Sequence, residues 1–568
     1  MLSLRKATSP VSEWPEAGGP PGSKSGACRQ RVAQEPGRPR RLHQQRVARA
    51  LLQQESRPRG SASAPGSERG TEWYRRAKET KRGGTGGEGS ESAGSTGEVG
   101  EPAPGDPAEG SGGPGRGLLE GQMARTSGRE VISTRQEKLA ELARIEPKLE
   151  LTTLAHHIDK TWLREAYRRT RKDGAAGVDG VTAAQYETDL EENLASLLER
   201  FKSGRYRAPA VRRVYIPKPG KAGERRPIGI PTLEDKVLQR AVLMVLEPIF
   251  EQDFLECSYG FRPGRSAHQA LQALWQGLME IGGGWVIDLD IRSFFDEVDW
   301  QHLRDFLSQR VRDGVIRRTT GKWLNAGVME SGTVHHPERG TPQGGVVSPV
   351  LSNLYLHNVL DLWFEQEVKP RLRGRAFEIR FADDAALAFE REEDARRVLA
   401  VLAKRFARYG LRLHPEKTRL VDFRRPFQPA RGGSQRERSF TLLGFTHYWG
   451  RSRKGRWVVQ RKTDPKRFTR AVRAIGQWCR THRHWSLADQ QAALSRKLQG
   501  HYAYYGITGN ARALGRFHYE VRRAWRKWLH RRSWRGRMTW ARFARLTQHY
   551  RLPPPRVVHS IYGRAANP

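Results

Sequence analysis

The chain has 568 residues, with 101 Lys plus Arg against 61 Asp plus Glu and a formal net charge of +40. That length provides for roughly three or four domains with ample chain to bury a core, and a charge so high points to an anionic partner, nucleic acid or an anionic membrane surface. No run approaches about 18 apolar residues and no charged start leads into an apolar stretch with a cleavage site, which argues against a membrane span and a secretory signal; the three cysteines, Cys28, Cys257 and Cys479, are too scattered for a disulfide framework or a four-thiolate zinc site and fit a reducing cytoplasm.

In chain order, residues 1–122 come first and hold 23 of the 58 glycines and 12 of the 32 prolines. Almost nothing there can bury apolar area against the entropy of ordering, so a disordered basic arm is expected. Met123 opens a different style, with Leu139, Leu142, Ile145 and Leu149 at helical spacing. We expect Met123 to be the biological start, with upstream sequence read through before it; a natively expressed flexible arm is the alternative. From Leu151 to about Phe445, amphipathic helices mix with short apolar strands at residues 212–217, 285–291 and 378–389, an α+β pattern. Residues 464–506 read as helical, with Phe468, Val472, Ile475 and Trp478 in register. The tail from His501 carries 15 Lys plus Arg and one acidic residue, interleaved with Trp525, Trp528, Trp534 and Trp540. No internal repeat is present at a fixed period.

Two acidic pairs stand out. In the strand Trp285-Val286-Ile287-Asp288-Leu289-Asp290-Ile291, period-2 geometry places Val286, Asp288 and Asp290 on one face. Like charges so close call for a cation or strong donors between them. Asp383-Asp384 is flanked by apolar runs, as at the tip of a β-hairpin that presents carboxylates to a cleft. Hard oxygen ligands with few histidines nearby favour Mg²⁺, and two such ions are the recurrent solution for nucleotidyl transfer.

With these residues stand further motifs in a fixed order: Gly177-Val178-Asp179-Gly180; Ile216-Pro217-Lys218-Pro219 leading to Arg225-Arg226-Pro227-Ile228-Gly229-Ile230-Pro231; Tyr259-Gly260-Phe261-Arg262-Pro263; Asp290 to Asp296; Gly340-Thr341-Pro342-Gln343-Gly344-Gly345; Phe381-Ala382-Asp383-Asp384; Gly410-Leu411 to Lys417-Thr418; and Leu443-Gly444-Phe445. From about Ala175 to Pro555 the chain resembles the group II intron reverse transcriptases, or maturases. The resemblance implies an α+β right-hand polymerase, fingers and palm with an antiparallel sheet over residues 201–446, after a helical extension over 123–200. An α-helical thumb or maturase domain (domain X) would follow over 464–550, then a short tail over 551–568. Many relatives end in a zinc-containing endonuclease; no paired Cys motif follows Cys479 here, so second-strand cleavage is not expected.

The same resemblance implies roles residue by residue. Asp290, followed five residues later by the aromatic Phe295, and Asp383 are the expected Mg²⁺ ligands, with Asp384 the second member of the hairpin pair and Asp288 a neighbour tuning the site. Phe295 would lie under the incoming sugar and exclude a 2′ hydroxyl. Phe381 stands where many relatives carry Tyr and keeps the aromatic body. Lys218, Arg225 and Arg226 occupy the segment that reaches the triphosphate, the choice between the arginines being open, and guanidinium forks suit phosphate oxygens. Gln343 is expected at the nascent base pair, with Gly344 and Gly345 giving backbone access, and Lys417 near the leaving pyrophosphate. In the C-terminal region Tyr502, Tyr505, Arg522, Arg523, Arg526 and Lys527 are the expected RNA contacts, aromatics stacking on unpaired bases and cations on phosphates. The expected partners are intron RNA, an RNA template with a DNA primer and dNTPs, in a bacterial cytoplasm, with homodimerisation left open. Two rivals are a splicing factor without polymerase activity, disfavoured by the intact carboxylates, and a reverse transcriptase serving phage defence, disfavoured by the maturase-like segment.

Overall fold

The structure is a computed structural model and describes residues 116–217, 223–341, 343–426, 438–533 and 537–560. The first described helix, Arg116–Ile145, runs across the expected boundary at Met123. Most of the expected arm, Lys218, Pro342, Trp534 and the end of the tail lie outside the described residues.

In chain order the strands are β1 (Val211–Pro217), β2 (Arg225–Ile230), β3 (Trp285–Arg292), β4 (Val328–Glu330), β5 (Thr333–His335), β6 (Ala376–Phe381), β7 (Asp384–Phe389), β8 (Arg412–Leu413), β9 (Arg419–Asp422), β10 (Phe440–Leu442), β11 (Phe445–Arg451) and β12 (Trp457–Thr463). They form three sheets, ordered β2-β1-β4-β5, β6-β7-β3-β8 with β9 also on β3, and β10-β11-β12. All pairings are antiparallel except β1 with β4. The mixed α and β content expected from the sequence is therefore present.

The central sheet is covered on both sides, and alternation assigns the sides. Ile287, Leu289, Ala385, Leu387 and Phe389 join the larger core, with the helices Leu233–Phe250, Trp300–Ser308 and Ser348–Leu356. Val286, Ile379, Ala386, Ala388 and Val421 join a second core with the helix Ala267–Glu280 and the β10-β11-β12 sheet. The near-continuous apolar run of β7 follows from burial on both faces, and its three alanines allow close approach.

The C-terminal helices Pro465–Thr481, Leu487–Tyr505, Ala511–His530 and Trp540–His549 pack around a third core built on Ile475, Leu494, Leu498, Phe517, Val521 and Trp525. The expected helical stretch over 464–506 is two helices, because Ser486 caps the second: its hydroxyl accepts from the Asp489 amide at 3.1 Å. Asp464 caps the first by accepting from the Arg467 amide at 3.0 Å. Among the described residues no helix is long and apolar enough to cross a membrane.

Candidate active site

The carboxylates meet through sheet register. Asp290 on β3 lies directly opposite Asp384 on β7, and Asp288 lies opposite Ala386, so Asp288, Asp290 and Asp384 share the face on which Val286, Ala386 and Ala388 are buried. Phe381 pairs with Asp384, which leaves Ala382 and Asp383 as the two-residue hairpin turn, with Ala382 in the left-handed region at φ 57°. The turn expected from sequence is thus formed, and it sets Asp383 beside the Asp290–Asp384 pair.

Electrostatics mark the same place. Burial and then the neighbouring carboxylates of Asp383, Asp290 and Asp288 push Asp384 up to about 6. Asp288 is also raised to about 6, by burial and by Asp290, against the opposing Arg419 guanidinium 3.4 Å away. Asp383 is raised by burial and Asp290 and held down in part by the Arg226 and Arg380 charges. Asp384 is the exposed member of the set, so its carboxylate is open to a ligand. A set of hard carboxylate oxygens that raise one another's proton affinity fits a divalent cation.

Lys417 donates to both oxygens of Asp290, at 2.8 and 3.0 Å. It therefore stands on the first carboxylate, with its side chain about half exposed, rather than apart from it. The Thr418 hydroxyl lies 3.1 Å from the Asp290 carbonyl and 3.3 Å from its amide, and the His414 amide donates to that carbonyl at 2.8 Å, so the β8–β9 segment holds β3 at Asp290.

The β1–β2 ribbon supplies cations. Arg225 pairs with Pro217 and Arg226 with Ile216, and alternation turns the two side chains to opposite faces. Of the two, Arg226 is the one whose charge reaches Asp383. Phe295 and Gln343 line a cavity of about 270 Å³ together with Arg213, Pro227 and Thr341. The Thr341 amide donates to the Phe295 carbonyl at 2.7 Å, and the Gly229 amide to the Gln343 carbonyl at 2.7 Å, so this loop bridges β2 and the segment after β3. Gly344 has φ 121°, and a Cβ there would fall 2.3 Å from the Gly229 carbonyl oxygen. Its glycine is thus required by the β2 backbone, a reason distinct from ligand access.

The C-terminal expectations need correction. Tyr502 is 3% exposed within the helical core, its hydroxyl 3.1 Å from His518 Nδ1, and presents no face for base stacking. Trp525 is likewise buried, its Nε1 donating to Gln490 at 3.0 Å. Helical periodicity turned these rings inward, which a count of aromatics among cations does not reveal. Tyr505 is half-buried and packs on Phe445, where it helps join the helices to the β10–β11 turn. Arg523 and Lys527 are exposed, whereas Arg522 and Arg526 are partly covered, Arg526 lying 4.2 Å over the Trp540 ring.

Three features escaped the sequence reading. Arg467, at the start of the first C-terminal helix, acts on Asp384. Thr418 and Arg419 bind the backbone and side chain of the two β3 carboxylates. Arg380, fully buried below the turn, carried one available signal, a charge inside the apolar run Ile379-Arg380-Phe381.

Comparison with known proteins fits this site. Residues 216–447 match the reverse transcriptase (RNA-dependent DNA polymerase) family. Protein YkfC of Escherichia coli (strain K12) is 40% identical over 254 residues, covering 43% of this chain and 65% of that protein. The group II intron-encoded protein LtrA of Lactococcus lactis subsp. cremoris is 34% identical over 251 residues, 42% of this chain and 41% of that protein. The nuclear intron maturase 1, mitochondrial, of Arabidopsis thaliana is 34% identical over 83 residues, 15% of this chain and 11% of that protein. The chain thus spans less than two thirds of each of these relatives. Residues 216–447, the stretch that matches the reverse transcriptase family, hold every carboxylate of the site.

Proposed function

We propose that this chain is an RNA-directed DNA polymerase of the group II intron type, copying intron RNA into DNA and binding that RNA to assist its splicing and mobility in a bacterial cytoplasm. The observation that supports this most is the register placing Asp290 opposite Asp384 with Asp383 in the adjoining turn, inside a reverse transcriptase domain. In this reading the central sheet is the palm, the β1–β2 ribbon belongs to the fingers, and the C-terminal helices form the thumb and domain X.

Asp290 and Asp383 would hold Mg²⁺, with Asp384 beside them. Two bound ions would supply Lewis-acid activation of a primer 3′ hydroxyl and neutralise the leaving pyrophosphate. The chain's own residues do the rest. Arg226, on the β1–β2 ribbon, binds the triphosphate of an incoming dNTP. Phe295, at the edge of the cavity it shares with Gln343, sits under the sugar and selects against a 2′ hydroxyl, while Gln343 and Gly344 place the nascent pair. Lys417, paired with Asp290, would face the leaving pyrophosphate.

The test is extension of a DNA primer on an RNA template by the full chain with Mg²⁺. Asp383→Asn is expected to lower the rate by at least about 10³-fold, as for loss of a ligand to a catalytic ion. Retained extension in that variant refutes the ligand assignment. A wild-type chain that binds the surrounding intron and promotes its splicing without extending a primer replaces this reading with that of a splicing factor.

A further inference from the structure

Directly beneath the Ala382–Asp383 turn, Arg380 is fully buried. Its Nε and Nη2 donate to the two oxygens of Asp361 at 2.7 and 2.6 Å, Nη2 also to the Ser258 hydroxyl at 2.8 Å, and Nη1 to Asn353 Oδ1 at 3.0 Å and the Ala382 carbonyl at 3.1 Å. The backbone is tied as well, with the Arg380 amide donating to the Cys257 carbonyl at 2.8 Å and the Tyr259 amide to the Arg380 carbonyl at 2.9 Å. Asn353 uses its other end to donate to the Gly260 carbonyl at 2.7 Å. Gly260 in turn lies so close that a Cβ would fall 2.3 Å from the Ala382 amide nitrogen.

Every partner has a reason to be there. Ala382 sits at positive φ, a conformation that a non-glycine residue keeps only where its surroundings over-determine it. A charge-assisted bond to its carbonyl from an enclosed guanidinium supplies that constraint. Asp361 lies on a widened π-helical turn, His357–Asp361, which brings its carboxylate toward the guanidinium. Cys257, Asp361 and Glu378 have ligand atoms within 4.8 Å of one another, yet a cation among them would face the Arg380 charge on Asp361. Burial and the Asp361 charge push Glu378 well above the usual carboxylate range.

We propose that Arg380 is the positioning residue of the carboxylate turn: through Ala382 it fixes the conformation that carries Asp383 and Asp384, and through Ser258 and Asn353 it locks residues 258–260 against that turn. The proposal rests on the polymerase reading for its kinetic consequence but not for its structural one.

Arg380→Lys keeps the charge and loses the fork. In the full chain, kcat for primer extension should fall about tenfold to a hundredfold, the scale of a misplacement near 1 Å. The KM for dNTP and the primer–template Kd, by fluorescence anisotropy, should stay within about twofold. Mn²⁺ binding, followed by electron paramagnetic resonance, should weaken severalfold while circular dichroism is unchanged. Unchanged kcat and Mn²⁺ affinity overturn the proposal, and so does a loss of both in proportion to the fraction unfolded. Should the Lys variant not fold, Ser258→Ala removes one bond to Nη2 and is expected to shift kcat and Mn²⁺ affinity the same way by a smaller factor; no shift overturns the proposal. A wild-type chain that fails to extend primers refutes the polymerase reading, whereas the Mn²⁺ measurement still decides the role of Arg380.

Discussion

Asp288 and Asp384 hold their protons up to about pH 6, and the sign of the consequence follows. A carboxyl whose folded value exceeds its unfolded one binds protons more tightly in the native state, so its contribution favours folding below about pH 4 and is lost as pH rises through about 6. Asp288→Asn removes an ionised, crowded group. Screened by solvent at its partly exposed position, the change is worth about 1 kcal/mol. Thermal melts in metal-free buffer should therefore show the variant more stable than wild type at pH 8, with the gain vanishing below about pH 4. A variant less stable at pH 8 would mean that the pairing with Arg419 outweighs the crowding. Binding a divalent cation relieves the same repulsion, which is why a site built from these residues is costly to fold empty and well suited to a charged ligand.

At the scale of elements, the site is a junction of three short segments on one sheet: β3 brings Asp290, the β6–β7 turn brings Asp383 and Asp384, and the β8–β9 segment brings Lys417 and Thr418. The Gln343 loop is tied to β2 through Gly229 and to the segment after β3 through Thr341, and Gly344 is where it lies tightest. Gly344→Ala places a methyl against the Gly229 carbonyl and a side chain at an unfavourable φ, so it should cost about 2–4 kcal/mol. A lowered urea midpoint with an unchanged slope is the expected result. An unshifted midpoint would show that the loop detaches from β2 without penalty. Much of this junction was legible beforehand, because alternation puts Asp288 and Asp290 on one face and flanking apolar runs mark the hairpin. What sequence did not disclose were contacts across long separations, such as Arg380 with Asp361, Asn353 and Ser258, or Thr418 with Asp290. Their residue types are ordinary, and only the fold gives them partners. The Tyr502 expectation failed for a related reason, since the side of a helix that faces the core depends on its neighbours.

For the whole molecule, the net charge of +40 acquires an uneven meaning. Part of it is internal: Arg380 and Arg262 are buried and matched by acids, and contribute to architecture rather than to a binding surface. Around the carboxylates, Arg226, Lys417 and Arg467 offset crowded negative charge. The C-terminal helices differ, because Arg523 and Lys527 are exposed on a helix whose opposite face is buried through Leu514, Phe517, Val521 and Trp525. A stripe of this kind attracts phosphates without ordering much chain, and each phosphate neutralised should contribute about 0.7 to the slope of log affinity against log salt on single strands. Under the proposed function, replacing Arg523 and Lys527 with Gln should then weaken binding to intron RNA and reduce that slope by about 1 to 1.5. Extension on a short generic template should change less than about twofold if the stripe serves intron recognition. Tyr502→Phe, which keeps the buried ring, should leave RNA affinity unchanged. Filter binding at several salt concentrations, with primer extension measured alongside, separates the cases: equal loss of both activities would assign the stripe to the thumb alone, and an unchanged slope would move the RNA contact elsewhere.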